Sequence, residues 1–238
     1  MNFALVLAGG NGSRMGNTKT PKQFMMLGDK PIIAHSVERF FVEPDFEKVI
    51  VLTPAAWVSS TKDIMRKYLP DMTKIVVLEG GDTRNETLMN GIRYIEKEYS
   101  LDDDTIIVTH DAVRPFVTHR MIIENIEQAK LYGACDTCVP ATDTIVASED
   151  GKYISNIPER RKLYQGQTPQ SFKAKRLKEL YEQLTDEEKA ILTDACKIFS
   201  IKGEKVAIVS GAQSNIKITY PYDLKVAGTL LGVEVEDD

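Results

Sequence analysis

The chain has 238 residues, 42% hydrophobic and 27% charged, which suits one large soluble α/β domain over 1–238 and leaves no room for a second full domain. Its formal net charge of −5 supplies no basic field for a polyanion, which argues against duplex nucleic acid as a partner. An anionic substrate must therefore meet local positive charge.

From the amino terminus, MNFALVLAGG lacks the charged, apolar and cleavage regions of a signal peptide. No apolar run long enough to span a bilayer follows, so cytoplasmic residence without membrane contact is expected. Continuous apolar runs at 3–8, 49–53, 75–79, 105–110 and 134–141 predict strands buried on both faces of a parallel sheet. Segments 31–41, 57–69 and 85–99 repeat their apolar positions at three and four, as crossover helices do. Pro31 and Pro54 sit near helix starts, and Asp82 or Thr83 can cap the third helix. The expected architecture is α/β: a Rossmann-like, mostly parallel twisted sheet with flanking helices.

From about 142 to 163 the pattern changes to a protruding β-arm, a hairpin with its turn at Glu149-Asp150-Gly151. Its exposed edge can pair with a second copy of the chain, giving a homodimer, or remain a solvated arm. Helical patterns return at 173–183, 186–199 and 221–231, with short strands near 205–209 and 215–218, and the final EVEDD reads as disordered. Cys135, Cys138 and Cys196 are too few and too odd for a disulfide framework. The C-x-x-C pair lacks partners for a zinc site, so small buried thiols are the better reading.

The first strand runs into Leu7-Ala8-Gly9-Gly10-Asn11-Gly12-Ser13-Arg14-Met15-Gly16, a glycine-rich turn where α/β proteins bind ligands. Glycines let backbone N–H groups approach phosphate oxygens, and Arg14 and Lys22 add cations nearby. Met15 breaks the dinucleotide fingerprint and no Walker motif is present. The fourth run ends His110-Asp111-Ala112-Val113-Arg114. Asp111, at a strand's carboxyl end, is placed to hold Mg²⁺ bridging phosphates. His110 reads as a packing or hydrogen-bonding residue. Arg114 can bind an acceptor phosphate or pair with Asp111. Such a site needs no Ser–His–Asp set, because a phosphate acceptor is already ionised and the barrier is anionic repulsion plus charge on the departing pyrophosphate.

With PKQF at 21–24, GGDTRNETL at 80–88, HDAVRP at 110–115, QTPQSF at 167–172, TDACK at 193–197 and NIKIT at 215–219, the chain resembles the cytidylyltransferases acting on polyol phosphates. These motifs fall in order over nearly the whole chain. The resemblance implies the nucleotidyltransferase fold, CTP and a polyol phosphate as substrates, and Mg²⁺ on Asp111. It implies Arg14 and Lys22 on the triphosphate and Lys217 on the α-phosphate as catalytic groups. Leu7, Ala8, Gly9, Gly10, Gly12, Gly80, Asp82, Arg84, Thr87 and Ala112 are carried over as the nucleotide-binding set, Thr87 standing where serine is usual. Arg114, Asp143, Thr144, Arg160, Thr168 and Thr193 are carried over as the acceptor pocket, completed by the arm of a partner subunit.

Within the family, Thr193-Asp194-Ala195-Cys196-Lys197 lacks the second acid usual in methylerythritol phosphate enzymes, and Tyr164 to Gln170 and LAGG look like the ribitol-5-phosphate group. The expected product is therefore CDP-ribitol for teichoic acid or a related polymer, with a reductase making ribitol 5-phosphate as a candidate partner. Methylerythritol 4-phosphate in isoprenoid synthesis is the alternative. A sugar-1-phosphate nucleotidyltransferase and a non-catalytic nucleotide-binding or scaffold protein compete from other classes, the first marked by a preference for UTP and the second by CTP binding without turnover.

Overall fold

The structure is a computed structural model that describes residues 1–10, 15 and 20–232. Strand β1 (Asn2–Leu7) is followed by a small antiparallel pair, β2 (Met26–Leu27) with β3 (Lys30–Pro31), which delivers the chain into α1 (Ile32–Phe41). Next come β4 (Lys48–Thr53), α2 (Val58–Tyr68), β5 (Ile75–Glu79), α3 (Arg84–Tyr99), β6 (Ile106–Asp111), α4 (His119–Tyr132) and β7 (Ala134–Pro140). Beyond residues 141–163 lie β8 (Tyr164–Lys173), α5 (Ala174–Glu182), α6 (Asp186–Ala190), α7 (Cys196–Ile201), β9 (Ala207–Ser210) and α8 (Pro221–Leu231).

Seven strands form one sheet in the order β5-β4-β1-β6-β8-β7-β9, parallel except for β8, which runs antiparallel to both neighbours. Alternate side chains of the central strands feed two cores, because successive residues of a strand point to opposite faces. Ala4, Val6, Val49, Val51 and Val108 pack beneath α1, α2 and α4, while Phe3, Leu5, Ile50, Leu52 and Ile107 pack beneath α3, α5 and α7. Burial on both faces is why these runs are continuously apolar.

The strand order reverses at β1. From β1 the chain proceeds to β4 and β5 on one side, then returns to place β6 on the other, leaving a crevice outside the carboxyl ends of β1 and β6. Leu7 and Asp111 are register partners at that edge. Ligands of open α/β sheets bind at such a switch point.

Three expectations are corrected and one helix is added. A helix not predicted, α4, is started by Thr118, whose hydroxyl accepts from Met121 N–H, and stopped by Gly133 in the left-handed region at φ 86°. The arm holds one isolated bridge, Ala147 to Asn156, in place of a regular hairpin, with Asp150 Oδ1 accepting from Lys152 N–H and Tyr153 N–H at the turn. Segment 186–199 divides into α6 and α7, because Asp194 accepts from Lys197 N–H and begins a second helix. Residues 215–218 form no strand; Ile218 N–H donates to Val113 O, and the Ile218 side chain packs with Leu27, Ile32 and Ala227. The EVEDD tail lies outside the described residues.

Candidate active site

A cavity of about 300 Å³ opens at the switch point. Its walls are Leu7 to Gly10, Lys22 and Gln23, Gly81 to Arg84 with Thr87, Asp111 to Val113, and Lys217. Lys22 enters from the short 3-10 helix Lys22–Phe24, held down by Phe24 stacking on Trp57 at 4.7 Å between centroids. Beside it, Gln23 Nε2 donates to Ala8 O at 2.7 Å and fixes the carbonyl that ends β1.

The loop before α3 is closed by Thr87. Its Oγ1 accepts from Gly81 N–H at 3.0 Å and sits 3.2 Å from Gly81 O. A Cβ on Gly81 would lie 2.5 Å from Glu86 Cβ, so only glycine fits this close approach. Gly80 supports the loop by donating to Thr53 O at 2.8 Å. Of the two candidate caps, Thr83 is the one used, forming a capping box with Glu86, and the amino end of α3 opens on the cavity. Unpaired N–H groups and the helix dipole at such an end favour anions.

Asp111 draws three cations together. Arg84 Nη1 lies 2.5 Å and Lys217 Nζ 2.9 Å from its oxygens, with Arg114 Nε at 3.5 Å. Burial opposes ionisation of this carboxyl, but Arg84, Lys217 and Arg114 more than offset it and hold its pKa well below the usual carboxylate range. Arg114, open between two roles in the sequence, is seen here in its pair with Asp111; its Nη1 also donates to Asn215 O at 2.7 Å. Asn215 is anchored in turn by Nδ2 donating to Thr168 O at 2.8 Å, which sets the segment carrying Lys217.

His110 is fully buried and packs on Phe40 with ring centroids 5.0 Å apart. Its Nε2 is 2.9 Å from Arg114 O and its Nδ1 3.0 Å from Thr168 Oγ1, and burial pushes its pKa down to about 4. The packing and hydrogen-bonding reading of this residue fits that environment. Cys135 and Cys138 are likewise buried, and burial pushes both thiols up to about 12, away from the thiolate that metal binding and redox exchange require.

Lys22 and Lys217, remote in sequence, thus share one cavity with Arg84, Asp111 and most of the expected nucleotide set. Arg14 and Gly12 lie outside the described residues. Of the acceptor set, Thr168 is buried beside Asp111, while Asp143, Thr144, Arg160 and Thr193 are exposed and line no part of this cavity. Arg160 Nη1 reaches Thr142 O at 2.9 Å across the base of the arm. Gln23, Gly81, Thr83 and Val113 line the cavity without having been singled out for it; the PKQF and GGDTRNETL motifs contain the first three. Among the described residues no helix is long and apolar enough to cross a membrane.

A mostly parallel α/β sheet carrying a cation-rich cleft at its switch point is the arrangement of a nucleotidyltransferase. The family described as 2-C-methyl-D-erythritol 4-phosphate cytidylyltransferase matches residues 3–233. The solved 4-diphosphocytidyl-2C-methyl-D-erythritol synthase of Anaerococcus prevotii is 26% identical, with a TM-score of 0.78 over 97% of this chain and 96% of that one. The 2-C-methyl-D-erythritol 4-phosphate cytidylyltransferase of Francisella tularensis is 25% identical with a TM-score of 0.78 over 96% and 99%, and that of Thermus thermophilus 25% with 0.72 over 98% and 100%. The chain belongs to this cytidylyltransferase family.

Proposed function

We propose that the protein transfers CMP from CTP to a short phosphorylated polyol. The observation that carries this reading is one nucleotide-sized cleft lined by Lys22 and by Arg84 and Lys217, the last two paired with Asp111. An oxygen of the acceptor phosphate attacks the α-phosphorus of CTP, the bond from that phosphorus to its bridging oxygen breaks, and pyrophosphate departs with the electron pair. The attacking oxygen carries no proton at neutral pH, so no general base is needed. In this reading Ala8 to Gly10 and the loop 80–87 hold the cytosine, Lys217 the α-phosphate, and Lys22 with Arg14 the β- and γ-phosphates, where charge grows as pyrophosphate leaves.

Mg²⁺ belongs to the same reading. A hard oxygen donor on the cavity wall suits it, and Mg²⁺ takes few protein ligands when phosphates supply the rest. Asp111 would hold it once the triphosphate competes for Arg84 and Lys217, and the ion would neutralise phosphate charge.

The acceptor is chosen between two polyol phosphates. The family match and its solved members support methylerythritol 4-phosphate better than ribitol 5-phosphate. Ribitol stays as a second reading on sequence alone: Ala195 stands where the second acid usual in methylerythritol phosphate enzymes is missing. The cytoplasm supplies CTP to either reaction. A reductase partner follows only from the ribitol reading. A homodimer through the arm is proposed with both, since Ile154 and Ile157 on the arm are 60% and 57% exposed and would be covered by a second copy. Pyrophosphate release from CTP is to be measured with each acceptor in turn. Release with one alone assigns it; silence with both, alongside intact CTP binding, overturns the catalytic reading.

A further inference from the structure

We infer that His110, fixed as the tautomer protonated at Nε2, is a positioning residue that locks Thr168 and the Arg114 backbone around Asp111. This rests on the reading of Asp111 as a group that meets the substrates, and it assigns His110 a role that its burial alone does not.

The assignment follows from counting protons. Arg114 O can only accept, so Nε2, at 2.9 Å, carries the hydrogen. A neutral ring then has a bare Nδ1, which accepts from Thr168 Oγ1–H at 3.0 Å. The Thr168 hydroxyl, its proton committed, accepts from Asp111 N–H at 3.1 Å. Every proton has one acceptor, and the chain runs in one direction: Asp111 N–H to Thr168 to His110 to Arg114 O.

Two consequences follow. The Thr168 hydroxyl proton is committed to His110 in this network, so Thr168 serves the site here by holding the Asp111 backbone. The same ring ties that backbone to the carbonyl of Arg114, so the carboxylate at 111 and the guanidinium at 114 keep a fixed relation while ligands exchange. Phe40 packs on the imidazole with 50° between the ring planes and limits its room to turn. Partners of this kind behind a binding group affect function by about 10–100-fold when removed.

The test uses the intact protein. With three histidines in the chain, ¹⁵N-edited NMR of the ligand-free wild type reads the His110 tautomer directly. A single Nε2–H species is expected, and an Nδ1–H or exchanging ring overturns the assignment. His110→Phe keeps the contact with Phe40 and removes both hydrogen bonds; it is expected to lower kcat/KM for the acceptor about 30-fold or more, with CTP affinity changed less than about threefold. Thr168→Val should match it, the double variant should be no worse than either single, and Thr168→Ser, which keeps the hydroxyl, should recover activity. Additive losses, a kcat/KM within about threefold of wild type, or a loss of CTP affinity that tracks the melting temperature would each overturn the positioning role. Absence of wild-type turnover with any acceptor strikes the functional reading instead, because the tautomer is measured without substrate.

Discussion

Lys22 is only 7% exposed, yet it reaches the cavity wall, so its ammonium acts where water screens little. In the proposed reaction, replacing it with alanine removes a charge whose contact would strengthen as pyrophosphate leaves. Lys22→Ala is expected to lower kcat/KM about 10²-fold with an unchanged circular-dichroism spectrum, and a change under about threefold would contradict that role. Asp111 carries the opposite expectation. Asp111→Asn leaves Arg84 and Lys217 without their carboxylate, so CTP binding in the absence of metal should not weaken, whereas the Mg²⁺ concentration giving half-maximal rate should rise. An unchanged Mg²⁺ titration would remove Asp111 as a ligand. These charged residues are legible in the sequence because strand ends and glycine turns announce where they lie. Thr83 is legible as a helix cap, from its spacing to Glu86, though not as a wall of the cavity; Gln23 is harder to find, since it acts by holding backbone, a role with no signature of its own.

Element by element, legibility follows burial chemistry. Strands β1, β4, β5, β6 and β7 announce themselves as apolar runs. β8 does not, because Gln167, Thr168, Gln170 and Ser171 sit in the middle of the sheet as buried polar residues. Partners from distant segments meet most of their polar atoms, Gln170 Oε1 excepted, as when Ser171 Oγ donates to Asn125 Oδ1, and no local pattern records such pairings. Helix α4 could have been found from its ends, Thr118 and Gly133, although its middle has a weak apolar stripe. That reasoning can be checked at Gly133, where a Cβ meets nothing within 4 Å and only the φ of 86° resists substitution. Gly133→Ala should therefore destabilise the protein by about 1 kcal/mol through backbone strain alone, seen as a lower urea midpoint with an unchanged slope. No midpoint shift would show that the helix end relaxes freely.

On the scale of the whole molecule, the same sheet carries two carboxylates with opposite fates. Asp111 is held ionised by its cations, whereas Asp136, on β7, is pushed up to about 6, chiefly by burial, with Asp194 adding like charge and a hydrogen bond from Gln170 opposing the shift. Cys138 and Cys196 also face Asp136, and Arg114 is a cation within electrostatic reach. A carboxyl whose folded pKa exceeds its unfolded value binds more protons in the native state between those values. Its contribution is therefore fully present below about pH 4 and lost as pH rises through about 6. Above that range the wild type holds a buried carboxylate with one oxygen unpartnered. Asp136→Asn keeps the shape without the charge, so at pH 8 it should be more stable than wild type by about 1–3 kcal/mol, the difference shrinking toward zero near pH 4. Urea unfolding of both proteins across that range measures it. A difference independent of pH would mean that Asp136 titrates alike in the folded and unfolded chain, and that the acid burial on the β7 side of the sheet imposes no penalty at neutral pH.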